Sequence, residues 1–117
     1  MITEKEVPDL IASQVPSLRS RLNAIPDSVY KSIQSFTDHT KWLIEQGNRQ
    51  AVKACFRTAE RLLMEGDNAV RCAIQNVYIY SISRLLEVNG PDAKALRSLM
   101  GHETKREYLR QLNCCQA

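Results

Sequence analysis

One phrase occurs twice in the middle of the chain, and it limits the fold more than any other feature. The first copy is Leu43-Ile44-Glu45-Gln46-Gly47-Asn48 and the second is Leu63-Met64-Glu65-Gly66-Asp67-Asn68. Each is an apolar helix end, a glycine suited to the left-handed turn that stops a helix, and an Asn or Asp suited to cap the next one. The residues after each copy are again helical in pattern, Gln50-Ala51-Val52-Lys53 and Ala69-Val70-Arg71. Three consecutive helices are thus joined by two tight turns, and loops this short set neighbouring helices antiparallel. Gly47 and Gly66 are both expected at positive φ.

The flanking sequence is helical in the same sense. Thr3-Glu4-Lys5-Glu6 has the form of a capping box, leading a first helix that reaches about Gln14, with Pro8 in its first turn and Pro16 ending it. A short segment from Ser17 to Ala24 carries Leu18 and Leu22 and stops at Pro26. Asp27 is the expected N-cap of a long third helix, Ser28 to Gln46, whose inward stripe is Val29, Ile33, Phe36, Thr40 and Leu43. The fourth, Arg49 to Met64, turns Val52, Cys55, Phe56, Ala59, Leu62 and Leu63 to one side. The fifth, Asn68 to Val88, is apolar round most of its circumference, which marks the enclosed, central element. Ile74 and Val77 are expected at its buried heart. After the break at Asn89-Gly90-Pro91-Asp92 come a sixth helix, ending near Gly101-His102, and a last amphipathic stretch from Glu103 to Leu112.

The expected fold is therefore all-α, an antiparallel bundle of six or seven helices with a central buried helix. The alternative is a short helical-repeat-like array, since the two glycines are nineteen residues apart, one helix plus a turn. Residues 1–112 read as one domain and 113–117 as a flexible tail. At 117 residues the chain can bury a core without disulfides or metal. A net charge of +3 is mildly basic, well short of a dedicated nucleic-acid binder. No apolar run is long enough to cross a membrane and no export signal opens the chain, so the expected location is the cytoplasm. Cys55, Cys72, Cys114 and Cys115 lack metal-ligand spacing, and neither a metal nor a cofactor is expected.

The binding candidates are few. Arg49, Lys53, Arg57 and Arg61 recur every fourth residue on the fourth helix and sweep an arc of about 120° opposite its apolar side. They form a ridge for an acidic protein partner or for phosphates, or an ordinary solvated face into which Glu60 intrudes. Trp42, the one tryptophan, is a candidate interface anchor, although partial burial against a neighbouring helix is the commoner use. Tyr78 and Tyr80 line a small-molecule pocket or belong to an internal hydrogen-bond network, the ordinary use of buried polar groups. His39 and His102 have no partner pattern, and Cys55 and Cys72 read as small core residues. No paired-carboxylate, nucleophile-elbow, zinc-helix or phosphate-loop motif is present, so catalysis is not expected.

The pattern Phe36 … Leu43-Ile44 … Gly47-Asn48 … Phe56 … Glu60 … Leu62-Leu63 … Gly66-Asp67 … Val70 … Leu85-Leu86-Glu87 resembles small uncharacterised all-helical bacterial proteins. These in turn look like the immunity partners that block toxins by direct binding. The resemblance implies a helical fold and a role in binding, and it carries no functional residue with it. The leading expectation is a non-enzymatic cytoplasmic protein-interaction domain of immunity or adaptor type, acting by steric blocking. The alternatives are weak nucleic-acid binding through the basic ridge and a small-molecule sensor.

Overall fold

A computed structural model describes residues 1–23, 28–88 and 91–115. Among the described residues there are seven helices: α1 (Val7–Gln14), α2 (Arg19–Asn23), α3 (Val29–Gln46), α4 (Arg49–Glu65), α5 (residues 68–88), α6 (Pro91–Arg97) and α7 (His102–Cys115). Short 3₁₀ turns, Glu4–Glu6 and Pro16–Leu18, lead into α1 and α2. Glu6 reaches back to the Thr3 backbone and hydroxyl, and Pro8 occupies the first turn of α1, as the capping pattern implied. The Pro26 stop and the Asp27 cap lie outside the described residues, as does the Asn89-Gly90 break. The N-cap of α3 is Ser28, whose hydroxyl accepts the Lys31 N–H. The last helix continues through Cys115, past the expected end at Leu112, because Asn113-Cys114-Cys115 contains no glycine or proline to stop it. The Cys114 and Cys115 side chains lie outside the described residues.

The two glycine turns share a pattern of residue types but not their geometry. Gly47 sits at φ 75° and closes α3 with paired bonds, Gly47 N–H to Ile44 and Asn48 N–H to Leu43. Asn48 and Asp67 cap α4 and α5 through the N–H groups of Ala51 and Val70. Gly66 instead is extended, at φ −72° and ψ 155°. The reason is tertiary: Ile2 lies beside it in a parallel bridge, donating to the Glu65 carbonyl and accepting from Asp67 N–H. Glycine is required there by space, because a Cβ would meet the Leu62 carbonyl oxygen and stand 2.6 Å from a Val70 methyl. Gly47→Ala should cost about 1 kcal/mol through strain at positive φ. Gly66→Ala should cost about 2 kcal/mol through overpacking. Denaturant titration of both variants checks the order.

The core follows the expected stripes of α3 and α4, with Ile33, Phe36, Thr40, Val52, Cys55, Phe56, Ala59 and Leu62 all buried. Helix α1 packs on both α3 and α4, and α7 packs on α4. Contacts between helices so distant in sequence exclude a repeat-like array, in which each unit touches only its neighbours. The fold is a bundle.

Helix α5 is central, contacting α3, α4, α6 and α7, but it is not enclosed all round. Its middle, Ile74–Ile79, is a π turn between two α-helical pieces, Asn68–Ala73 and Tyr80–Val88. The wider turn shifts the buried face by one residue. Ile74 is fully buried as expected, but Tyr78 and Ile79 follow it inward while Val77 is only half-buried. Cys72, Asn76, Tyr80, Arg84 and Val88, spaced by four, form an exposed stripe. Cys72 is thus a surface residue rather than a core one, whereas Cys55 is core.

Tyr78 is held by a buried network. Its ring stacks on Phe36 with centroids 4.6 Å apart. Thr40 donates its one proton to the Phe36 carbonyl, so the Tyr78 hydroxyl donates to Thr40 Oγ1 at 3.0 Å. Burial, reinforced by the nearby Cys55 thiol, pushes the Tyr78 phenol well above its ordinary range. Burial likewise pushes the Cys55 thiol up. Both stay neutral and belong to the packing of the core.

Candidate functional site

All four ridge residues are exposed, on the outer face of α4. The two ends are engaged: Arg49 reaches Asp92 at 3.6 Å and Arg61 pairs with Glu65 at 3.2 Å. Exposed pairs of this kind bind their charges only weakly. Lys53 and Arg57, in the middle, have no ion pair or side-chain hydrogen bond among the described residues.

Glu60, which shares the ridge's arc on the helical wheel, is used elsewhere. Its carboxylate accepts the backbone N–H groups of Glu103 at 3.0 Å and Thr104 at 2.8 Å, and the Thr104 hydroxyl at 2.7 Å. These are the N–H groups that a helix leaves unsatisfied in its first turn. Gly101, the residue before α7, has no side chain to serve them, and a Cβ there would collide with the Glu60 carboxylate. Glu60 therefore acts as the cap of a helix more than forty residues away. Burial pushes its carboxyl up, but the bonds from Thr104 and Glu103 and the charge of His102 outweigh this and hold it below the ordinary range. The clue in the sequence was a helix start without a capping residue of its own; nothing local pointed to Glu60.

Trp42 is 52% exposed; α3 turns its apolar stripe inward and leaves this ring beside it, at the surface. The ring stacks on His39, centroids 5.9 Å apart, and His39 Nε2 is 3.1 Å from the Ser17 hydroxyl. Burial and then the Arg21 charge hold His39 below its ordinary range. The basic ridge and Trp42 belong to different helices, α4 and α3.

A groove of about 570 Å³ adjoins the end of α4. Its lining includes Leu63, Met64, Arg71, Arg106, Glu107 and Arg110, none of which the sequence pattern had singled out as a site. They come from α4, α5 and α7, and periodicity within one helix does not bring such residues together. Among the described residues no group of three or more His, Cys, Asp or Glu side chains is placed to hold a metal ion. No described helix is long and apolar enough to cross a membrane.

A model of one protein family matches residues 8–114, nearly the whole helical fold. The chain belongs to the DUF7674 family, a domain of unknown function. No curated protein and no solved structure matches it. In this DUF7674 chain the matched span includes the basic ridge, Trp42, the Glu60 cap and the groove, and excludes Ile2, which bridges Gly66.

Proposed function

We propose that this DUF7674 chain is a non-enzymatic protein-interaction domain of adaptor or immunity type, which grips an acidic partner and blocks it sterically. One observation carries the reading: Lys53 and Arg57 stand exposed in the middle of the ridge with no ion pair among the described residues, while Glu60 is drawn away to cap α7. A basic strip whose middle is left without an acidic neighbour suits an acidic surface on another molecule. From Arg49 to Arg61 it extends about 18 Å, long enough for roughly six residues of an extended chain. The immunity comparison rests on the resemblance of the core and cap pattern to small bacterial proteins. A reducing, cytoplasmic setting is in keeping with the free thiols of Cys55 and Cys72.

The test is charge reversal. Lys53→Glu with Arg57→Glu should leave stability unchanged within about 0.5 kcal/mol, since both side chains are exposed. Association with a partner isolated by pull-down should slow about tenfold at low salt and much less at high salt. Equal rates for wild type and variant would make the ridge ordinary solvated surface and move the binding face to Trp42. Tight binding to nucleic acid with a steep salt slope would replace the protein partner with phosphates.

A further inference from the structure

The basic face of α4 does not end at Arg61. Arg57, Arg61 and Met64 lie at i, i+4 and i+7, which places them on one side of the helix. Met64 is 61% exposed, an unbranched apolar side chain presented to solvent at the ridge's end. There the ridge meets the groove between α4, α5 and α7. Leu63 and Met64 form its apolar wall, and Arg71 and Arg106 bring guanidinium groups from the two other helices. Arg71 donates to Asn68 at 2.8 Å, a neutral partner, and has no ion pair among the described residues. Arg106 has no ion pair or side-chain hydrogen bond among the described residues. Two acids, Glu103 and Glu107, share the lining, and Glu107 is held by Arg110 at 2.6 Å and by Gln111 at 2.8 Å.

We propose that this groove is the docking site for an acidic segment of a protein partner, with carboxylates seated on Arg71 and Arg106 and an apolar side chain on Leu63 and Met64. The inference rests on the proposed function for the acidic character of the partner, and it adds the place where the partner's chain is anchored. Two features favour a peptide over a nucleic-acid strand. The apolar wall offers a phosphodiester backbone nothing, and Glu103 and Glu107 interrupt the basic groups of the lining, so that an even row of phosphates meets acids where a peptide can place apolar or neutral side chains. A polypeptide can alternate carboxylate and apolar side chains to match both walls. Planar guanidinium groups pair with carboxylates in two-point contacts, and an apolar pocket beside them fixes the register.

The experiment monitors methyl and arginine side-chain NMR signals of the full chain during titration with a synthetic peptide alternating glutamate and leucine. A glutamine–leucine peptide and a single-stranded oligonucleotide of equal charge are the comparisons. The acidic peptide should shift Met64, Arg71 and Arg106 saturably. Arg71→Gln with Arg106→Gln should weaken it about tenfold. Met64→Ala should weaken it severalfold without changing its salt dependence. The inference is overturned by equal binding of the glutamine peptide, by tighter binding of the oligonucleotide, by shifts confined to other surfaces, or by no saturable shift at millimolar peptide. Loss of partner association in the Lys53→Glu, Arg57→Glu variant but not in the groove variants would leave the ridge reading standing and remove the groove. The reverse pattern would keep the groove and remove the ridge.

Discussion

Ile74→Ala is expected to destabilise the fold by about 2–4 kcal/mol, chiefly by opening a cavity that close-packed neighbours cannot fill. Ile74 is fully buried at the start of the π turn, in the helix that touches α3, α4, α6 and α7, so a void there is walled on several sides. Val77→Ala, three residues on, should cost only about 1 kcal/mol, because the π turn carries that side chain to a half-buried position. A regular α-helix would make the two losses similar. Denaturant unfolding of the pair measures both, and a loss below about 0.5 kcal/mol for Ile74→Ala would contradict the central place of α5.

Glu60→Ala is expected to cost about 2–3 kcal/mol, because it strips a charged acceptor from the first-turn N–H groups of α7 and leaves them partly buried without partners. The loss should concentrate in α7, with faster amide exchange at Glu103 and Thr104. Gly101→Ala should reproduce part of it by crowding the carboxylate from its place. The same contact sets an acid response. The folded carboxyl titrates below the ordinary glutamate range, so between the two values the unfolded chain binds more protons than the folded one. Its contribution is therefore complete above the ordinary range and drains as pH falls through the lowered folded value. Glu107, held down first by the Arg110 bond, acts in the same direction on the same helix. His39 also loses stability on acidification, but from the histidine range downward, at higher pH. Unfolding free energy measured against pH for wild type and Glu60→Gln separates them: the variant should lose Glu60's share of the glutamate-range slope, retain the share of Glu107, and keep the histidine one.

The sequence alone determined local features. The Gly47 turn, the Asn48 and Asp67 caps, the Thr3–Glu6 box and the inward stripes of α3 and α4 each depend on residues within one or two turns of each other. The spacing of side chains along a helix is enough to place them. The basic ridge was legible for the same reason: exposure on α4 comes from being opposite its apolar face.

Tertiary structure decided the rest. Gly66 repeats the wording of Gly47 yet is extended, because Ile2 docks beside it from the far end of the chain. A stretch of α5 that reads as regular helix contains a π turn, where the Gln111 amide of α7 donates to the Gln75 carbonyl. Glu60 sits among arginines in the sequence and caps α7 in the fold, and the groove assembles from three helices. Each of these depends on which distant groups meet. A helical period specifies which way a side chain faces, but carries no information about what another helix will bring against it.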